Sequence, residues 1–122
     1  MSKKILIVDD SPFIIMVLKS ILKKIFPDAQ LYEASCEADA IKRFKTLKPD
    51  LTLLDIIMPE TAEAGLNVLK NIMKIDCKSK VVMVTAVSHD AMVKRCKEMG
   101  ASDYLVKPFD EADIEKTIKG FM

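Results

Sequence analysis

Five polar side chains stand where short apolar runs end, and their types match one kind of chemistry. Asp9 and Asp10 follow the run 5–8, Asp55 follows 51–54, Thr85 follows 81–84, and Lys107 follows 104–106. Carboxylates brought close together cannot all stay ionised without a counter-charge, because like charges raise one another's pKa. A hard divalent cation supplies that charge. Mg2+ prefers oxygen ligands, keeps several waters, and is commonly held by one or two carboxylates plus a phosphate oxygen. Such a site can neutralise a phosphoryl group in transit, which is most of what phosphoryl transfer asks of a protein. An aspartate nucleophile can form an acyl phosphate, a lysine can pair a phosphoryl oxygen as a point charge, and a threonine hydroxyl can donate a hydrogen bond.

The chemistry requires that distant residues meet, so the elements between them matter. Runs 5–8, 30–34, 51–54, 81–84 and 104–106 have strand length, and stretches of helical periodicity follow each of them. Asp10-Ser11-Pro12 reads as a helix start, with a capping side chain and a proline in the first turn. Phe13, Val17, Leu18, Ile21, Leu22 and Ile25 are expected on the buried face of that helix. Ala40, Ile41, Phe44 and Leu47 stripe a second helix ended by Pro49, and Leu66, Leu69, Ile72 and Met73 mark a third. Met92, Cys96 and Met99 mark a fourth that stops at Gly100, and Asp110 caps a fifth whose inner side holds Ile114 and Ile118. Five strand-then-helix units with almost wholly apolar strands predict an α/β fold, a doubly wound parallel sheet covered on both faces. Ligands of such sheets bind outside the carboxyl ends of the strands, where the five polar residues lie.

Bulk composition narrows the field. A chain of 122 residues has the length of one domain, so residues 1–122 are read as a single unit. Lys+Arg at 19 against Asp+Glu at 18 leaves a net charge of +1, which gives no global attraction to nucleic acid or to a membrane surface. Cys36, Cys77 and Cys96 are widely spaced and outside any CxxC pattern, and so read as reduced thiols rather than a zinc or disulfide set. The apolar run after Lys3 and Lys4 is too short for a signal peptide or a membrane span, and the cytoplasm is the expected compartment.

The pieces Leu6-Ile7-Val8-Asp9-Asp10-Ser11, Leu54-Asp55-Ile56-Ile57-Met58-Pro59, Val84-Thr85-Ala86 and Gly100-Ala101-Ser102-Asp103-Tyr104-Leu105-Val106-Lys107-Pro108-Phe109 together resemble a response-regulator receiver domain of the CheY-like kind, along nearly the whole chain. The resemblance implies a flavodoxin-like, five-stranded sheet in the order 2-1-3-4-5 with five helices. It implies that Asp55 is the phosphoacceptor, with Thr85 and Lys107 contacting the phosphoryl group. Asp9, Asp10, Asp55 and the Ile57 backbone carbonyl would then hold Mg2+, with Mn2+ as an alternative ion. Tyr104 matches an aromatic that turns inward after Thr85 moves, and Lys107-Pro108 matches a peptide bond that is cis in the family. A sensor histidine kinase or a phosphotransfer protein is the implied donor. The fourth helix, fifth strand and fifth helix form the implied surface for a downstream protein, with chemotaxis the leading output and, as alternatives, a phosphorelay intermediate or a receiver fragment of a larger transcriptional or signalling regulator. Such a protein assists its own phosphorylation and dephosphorylation without being an enzyme in the ordinary sense.

This sequence departs from the family pattern twice. Residues 60–64 intervene before Gly65, about two more than the family usually places there, which makes the conformation of that loop an open question. Ile15 stands where many relatives carry arginine, a change expected to touch packing or surface rather than chemistry. Ile57 and Val87 are apolar at positions where polar neighbours often aid hydrolysis in relatives, so a slow loss of the phosphoryl group is expected. Other classes fit less well. A phosphohydrolase of the haloacid-dehalogenase type needs Asp-x-Asp after its first strand, whereas this chain has Asp9-Asp10-Ser11. A flavin or nucleotide module needs a glycine-rich phosphate loop there, and the glycines are Gly65, Gly100 and Gly120. Singly, each site residue has a plainer reading as a cap, a turn former or a surface charge. Their shared position at one rim favours the functional one.

Overall fold

A computed structural model describes residues 3–121. Its strands are β1 (Lys4–Val8), β2 (Gln30–Ala34), β3 (Leu51–Leu54), β4 (Val81–Thr85) and β5 (Asp103–Val106). The helices are α1 (Pro12–Ile25), α2 (Glu37–Leu47), α3 (Ala64–Ile75), α4 (Asp90–Glu98) and α5 (Glu111–Ile118), and a short 3-10 turn follows at Lys119–Phe121. All strands pair in parallel, in the order β2-β1-β3-β4-β5. The expected sheet order is the observed one.

Successive strand residues point to opposite faces, and the central strands are apolar on both. Ile5, Ile7, Leu51, Leu53, Val82 and Val84 pack against Ile15, Leu18 and Leu22 of α1 and Ile114 and Ile118 of α5. Leu6, Val8, Leu54, Val81 and Met83 face the other way, against Ala40 and Phe44 of α2, Val68, Leu69 and Ile72 of α3, and Met92 and Cys96 of α4. Two cores on one sheet explain why these strands read as continuous apolar runs rather than alternating ones.

The helix ends follow their local chemistry. Ser11 Oγ accepts the Ile14 N–H at 3.3 Å with Pro12 in the first turn, and Asp110 and Asp113 form a reciprocal capping box at the start of α5. Gly100, at φ 112°, ends the chain's run through α4 in a conformation open to glycine. The expected face of α1 needs a correction. Phe13 is 65% exposed and Val17 only half-buried, whereas Ile15 is buried. At about 100° per residue, Phe13 lies on the side of the helix opposite Leu22, while Ile15 falls close to Leu18. Ile15 is therefore a core residue, and its departure from the family pattern is one of packing.

Thr52 carries a cost inside this core. It lies between Leu51 and Leu53 on β3, is 0% exposed, and its Oγ1 has no hydrogen-bond partner. Its neighbours across the sheet are Leu6 and Val81. A buried hydroxyl left unpaired loses its water without compensation. Thr52→Val should therefore raise stability by roughly 1 kcal/mol, seen as a higher urea midpoint at unchanged slope. A variant no more stable than the wild type would contradict this reading of the hydroxyl.

Candidate functional site

The strand order sets β1 beside β3, and β4 and β5 follow on the same side, so the residues that leave these strands share one rim. The backbone carries the ladder past the strand ends. Asp9 N–H donates to the Ala34 carbonyl at 3.1 Å, Asp55 N–H to Val8 at 3.0 Å, and Lys107 N–H to Thr85 at 2.8 Å. These bonds fix the Cα positions from which the acidic and basic side chains start. The Lys107-Pro108 peptide is cis, as the resemblance implied.

The carboxylates converge. One oxygen from each of Asp9, Asp10 and Asp55 lies within 4.8 Å of the others. Asp9 and Asp55 are 2% and 5% exposed, and Asp10 opens to solvent. Lys107 Nζ bridges the two buried ones, 2.7 Å from Asp9 Oδ2 and 2.9 Å from Asp55 Oδ2. The remaining oxygens of the buried pair take backbone donors: Asp9 Oδ1 accepts Ser11 N–H at 2.9 Å, and Asp55 Oδ1 accepts Ile57 N–H at 3.2 Å. The two buried carboxylates thus share one ammonium, with the Asp10 carboxylate beside them. Burial pushes the Asp9 carboxyl above its ordinary range, more than the hydrogen bonds from Lys107 and Ser11 and the lysine's charge pull it back. Burial draws Lys107 down, but its bonds to Asp55 and Asp9 and their charges outweigh this and leave it raised. An all-oxygen donor set with excess negative charge and one ligand open to water fits a hard divalent cation.

Thr85 and Tyr104 form a second group beside the first. Thr85 is fully buried, and its Oγ1 accepts Val87 N–H at 3.4 Å. The Tyr104 hydroxyl donates to the carbonyl of the same Val87. Among the described residues, the hydrogen bonds of the Thr85 side chain run to Val87 and not to the carboxylates. Tyr104 is half-buried, and its phenol is pushed up to about 12 by burial first, then by the charges of Cys96 and Asp55. Ile57 is 40% exposed at the mouth of the site, and its N–H is engaged with Asp55.

The longer loop between β3 and α3 holds residues that sequence reasoning missed. It returns to the sheet through Gly65, whose N–H donates to the Ile56 carbonyl at 2.8 Å. A Cβ at Gly65 would come within 2.0 Å of the Asp55 carbonyl oxygen, so this close approach admits only glycine. Between Ile56 and Gly65 the loop turns on Thr61, whose carbonyl accepts from both Met58 N–H and Ala64 N–H. Glu60 and Glu63 each reach another helix. Glu60 Oε2 accepts Glu37 N–H at 3.0 Å at the start of α2, and Glu63 pairs with Arg95 of α4 at 3.4 Å. The available signal was the absence of a Ser, Thr, Asp or Asn at position 36, where Cys36 precedes α2 and leaves its first turn without a cap of its own.

Residues 5–119 match the response regulator receiver domain family. The chain is 38% identical over 122 residues to the chemotaxis protein CheY of Thermotoga maritima, covering 97% of this chain and 96% of that protein. It is 33% identical over 122 residues to the sporulation initiation phosphotransferase F of Bacillus subtilis, covering 100% of this chain and 95% of that protein. Among solved structures, a complex of CheX with CheY, BeF3 and Mg from Borrelia burgdorferi superposes with a TM-score of 0.89 at 31% identity, over 98% of this chain and 90% of that one.

The raised Asp9 carboxyl has a consequence for stability. A carboxyl whose folded pKa lies above its unfolded value stabilises the fold below the unfolded value, and that contribution is lost as pH rises through the folded one. Asn at this position behaves as the protonated form at every pH. In chelator-treated protein, the stability of Asp9→Asn relative to wild type should therefore increase as pH climbs from below 3.8 toward neutrality, measured by urea unfolding across that range. A gap that closes as pH rises would show that Lys107 overcompensates the burial.

Proposed function

The chain belongs to the response regulator receiver domain family, and on that premise we propose that residues 1–122 work as one receiver unit in which Asp55 accepts a phosphoryl group from a phosphohistidine. Receiver domains are signalling proteins that interact with kinases or phosphotransfer proteins. The observation that carries the proposal is the Lys107 ammonium held between Asp9 and Asp55, at 2.7 and 2.9 Å, beside a third carboxylate. That arrangement spends folding stability to concentrate charge in a partly open site, which is where perturbed ionisable groups tend to be functional.

In the transfer, the N–P bond of the donor breaks as an Asp55 oxygen forms the new O–P bond, and the histidine leaves as the neutral imidazole after taking up a proton. Asp9, Asp10, Asp55 and the Ile57 carbonyl are the groups that would hold Mg2+ or Mn2+, and such an ion supplies charge neutralisation for the phosphoryl oxygens when bound. Lys107 gives up its contact with Asp55 Oδ2 and pairs a phosphoryl oxygen instead. The Ile57 N–H keeps the Asp55 carboxylate oriented through Oδ1. Thr85 turns its hydroxyl from Val87 toward the new oxygens, and Val87, which also holds the Tyr104 hydroxyl, passes that movement to β5. The modification thereby biases two arrangements of the α4, β5 and α5 face, which we assign to a downstream protein partner. Chemotaxis is the leading output, supported by the similarity to CheY proteins. A phosphorelay is the second, supported by the similarity to a sporulation phosphotransferase. Among the described residues no helix is long and apolar enough to cross a membrane. A cytoplasmic setting is our reading.

The test is incubation with acetyl phosphate, with and without Mg2+, followed by intact mass over time. The wild type should gain one phosphoryl group only with the cation, and Asp55→Asn should gain none. With apolar residues at positions 57 and 87, the group should outlast seconds once the donor is removed. Modification of Asp55→Asn to the same extent would overturn the assignment of the phosphoacceptor, and decay within seconds would overturn the slow hydrolysis.

A further inference from the structure

Among the described residues three helix starts, those of α2, α3 and α4, lack a side-chain cap of their own, and the first two connect to the loop after β3. Cys36 precedes α2 and makes no side-chain bond to its first turn, and Glu63 precedes α3 and makes none either. The loop settles the first by lending Glu60, whose carboxylate accepts Glu37 N–H at 3.0 Å. A carboxylate at that place meets both an unpaired amide and the positive end of the helix dipole. Glu37 in turn bonds through its own carboxylate to the side-chain amide of Asn67 on α3. Glu63, free of capping duty, reaches across to Arg95 in the last turn of α4 at 3.4 Å. At its beginning the same loop is tied to the phosphoacceptor, because Ile57 N–H donates to Asp55 Oδ1 at 3.2 Å.

We propose that residues 57–64 act as a strap that couples the state of Asp55 to α4, with Glu60 as its fixed end on α2 and the Glu63–Arg95 ion pair as its working end. The inference rests on the reading of Asp55 as the phosphoacceptor. A group added through Asp55 Oδ2 leaves Oδ1 an uncharged and weaker acceptor for the Ile57 amide, and the strap hands that change to the last turn of α4. This route is separate from the one through Thr85 and Val87, which enters α4 at its N-terminal end near His89. Because Glu63 and Arg95 are both more than half exposed, the pair biases an equilibrium by only about fivefold at most, and less at high salt. A modest bias suits an adjustable coupling.

The experiment is amide NMR on the full chain with beryllofluoride and Mg2+, comparing wild type, Glu63→Gln, Arg95→Gln and the exchanged pair Glu63→Arg with Arg95→Glu. Both substituted positions are exposed, so the fold persists. Wild type should shift at Thr85, Val87 and Tyr104 and at Lys94, Arg95 and Cys96. In either single variant the shifts at residues 94–96 should fall to about half or less, those at Thr85, Val87 and Tyr104 should remain, and the exchanged pair should restore the former. Undiminished shifts at 94–96 in both single variants would overturn the coupling alone, as would failure of the exchanged pair to restore them. A wild type with no beryllofluoride response would overturn the phosphoacceptor reading and the coupling with it.

Discussion

Three clustered carboxylates, two of them bridged by one ammonium, are the constraint on which the rest of this structure depends. Two like charges about 5 Å apart repel by roughly 3 kcal/mol at the effective dielectric of a protein site, and burial adds to the cost. No short segment of chain could hold such a group together. It is held because Asp9 and Asp55 leave adjacent strands whose backbones stay paired up to and at those residues. The strands are fixed in turn by apolar side chains on both faces of the sheet, packed against α1 and α5 on one side and α2, α3 and α4 on the other. The hydrophobic cores supply the stability, and the rim is where part of it is spent.

Under the proposed function, the same arrangement would carry a local charge change toward a distant surface. Thr85 is buried between the carboxylate rim and the start of α4, and it shares Val87 with Tyr104: one through the amide, the other through the carbonyl. A movement of the threonine hydroxyl must therefore disturb the residue on which the tyrosine hydroxyl rests. Buried polar groups in contact behave this way because each lost bond leaves a desolvated partner behind. The strap formed by the loop after β3 is a weaker, exposed connection made of one ion pair and a borrowed helix cap, and its different chemistry makes it separately adjustable.

Much of this was legible in the sequence because it is local or periodic. The apolar runs give the strands, and the polar residues that end them give Asp9, Asp10, Asp55, Thr85 and Lys107 as one rim once the sheet is known to be parallel. The capping box at Asp110 and the stop at Gly100 are written in neighbouring residues. The face of α1 was misjudged at Phe13, since a helix rich in apolar residues nearly all round has several plausible stripes and packing against α5 and the sheet selects one. The Tyr104–Val87 bond and the contacts of Glu60 and Glu63 join residues far apart in the chain, so no local pattern announces them. A missing cap at Cys36 hints that a partner is needed but not where it comes from.

The central claim is that the excess negative charge at the rim is built to be balanced by a hard divalent cation. The most direct measurement is a titration of the protein with Mg2+ followed by amide NMR, repeated on Asp10→Asn. The expected result is a saturable shift centred on Asp10, Ser11, Asp55, Ile57 and Lys107, with clearly weaker binding in the variant. No saturable shift at these amides, or equal binding by Asp10→Asn, would contradict it.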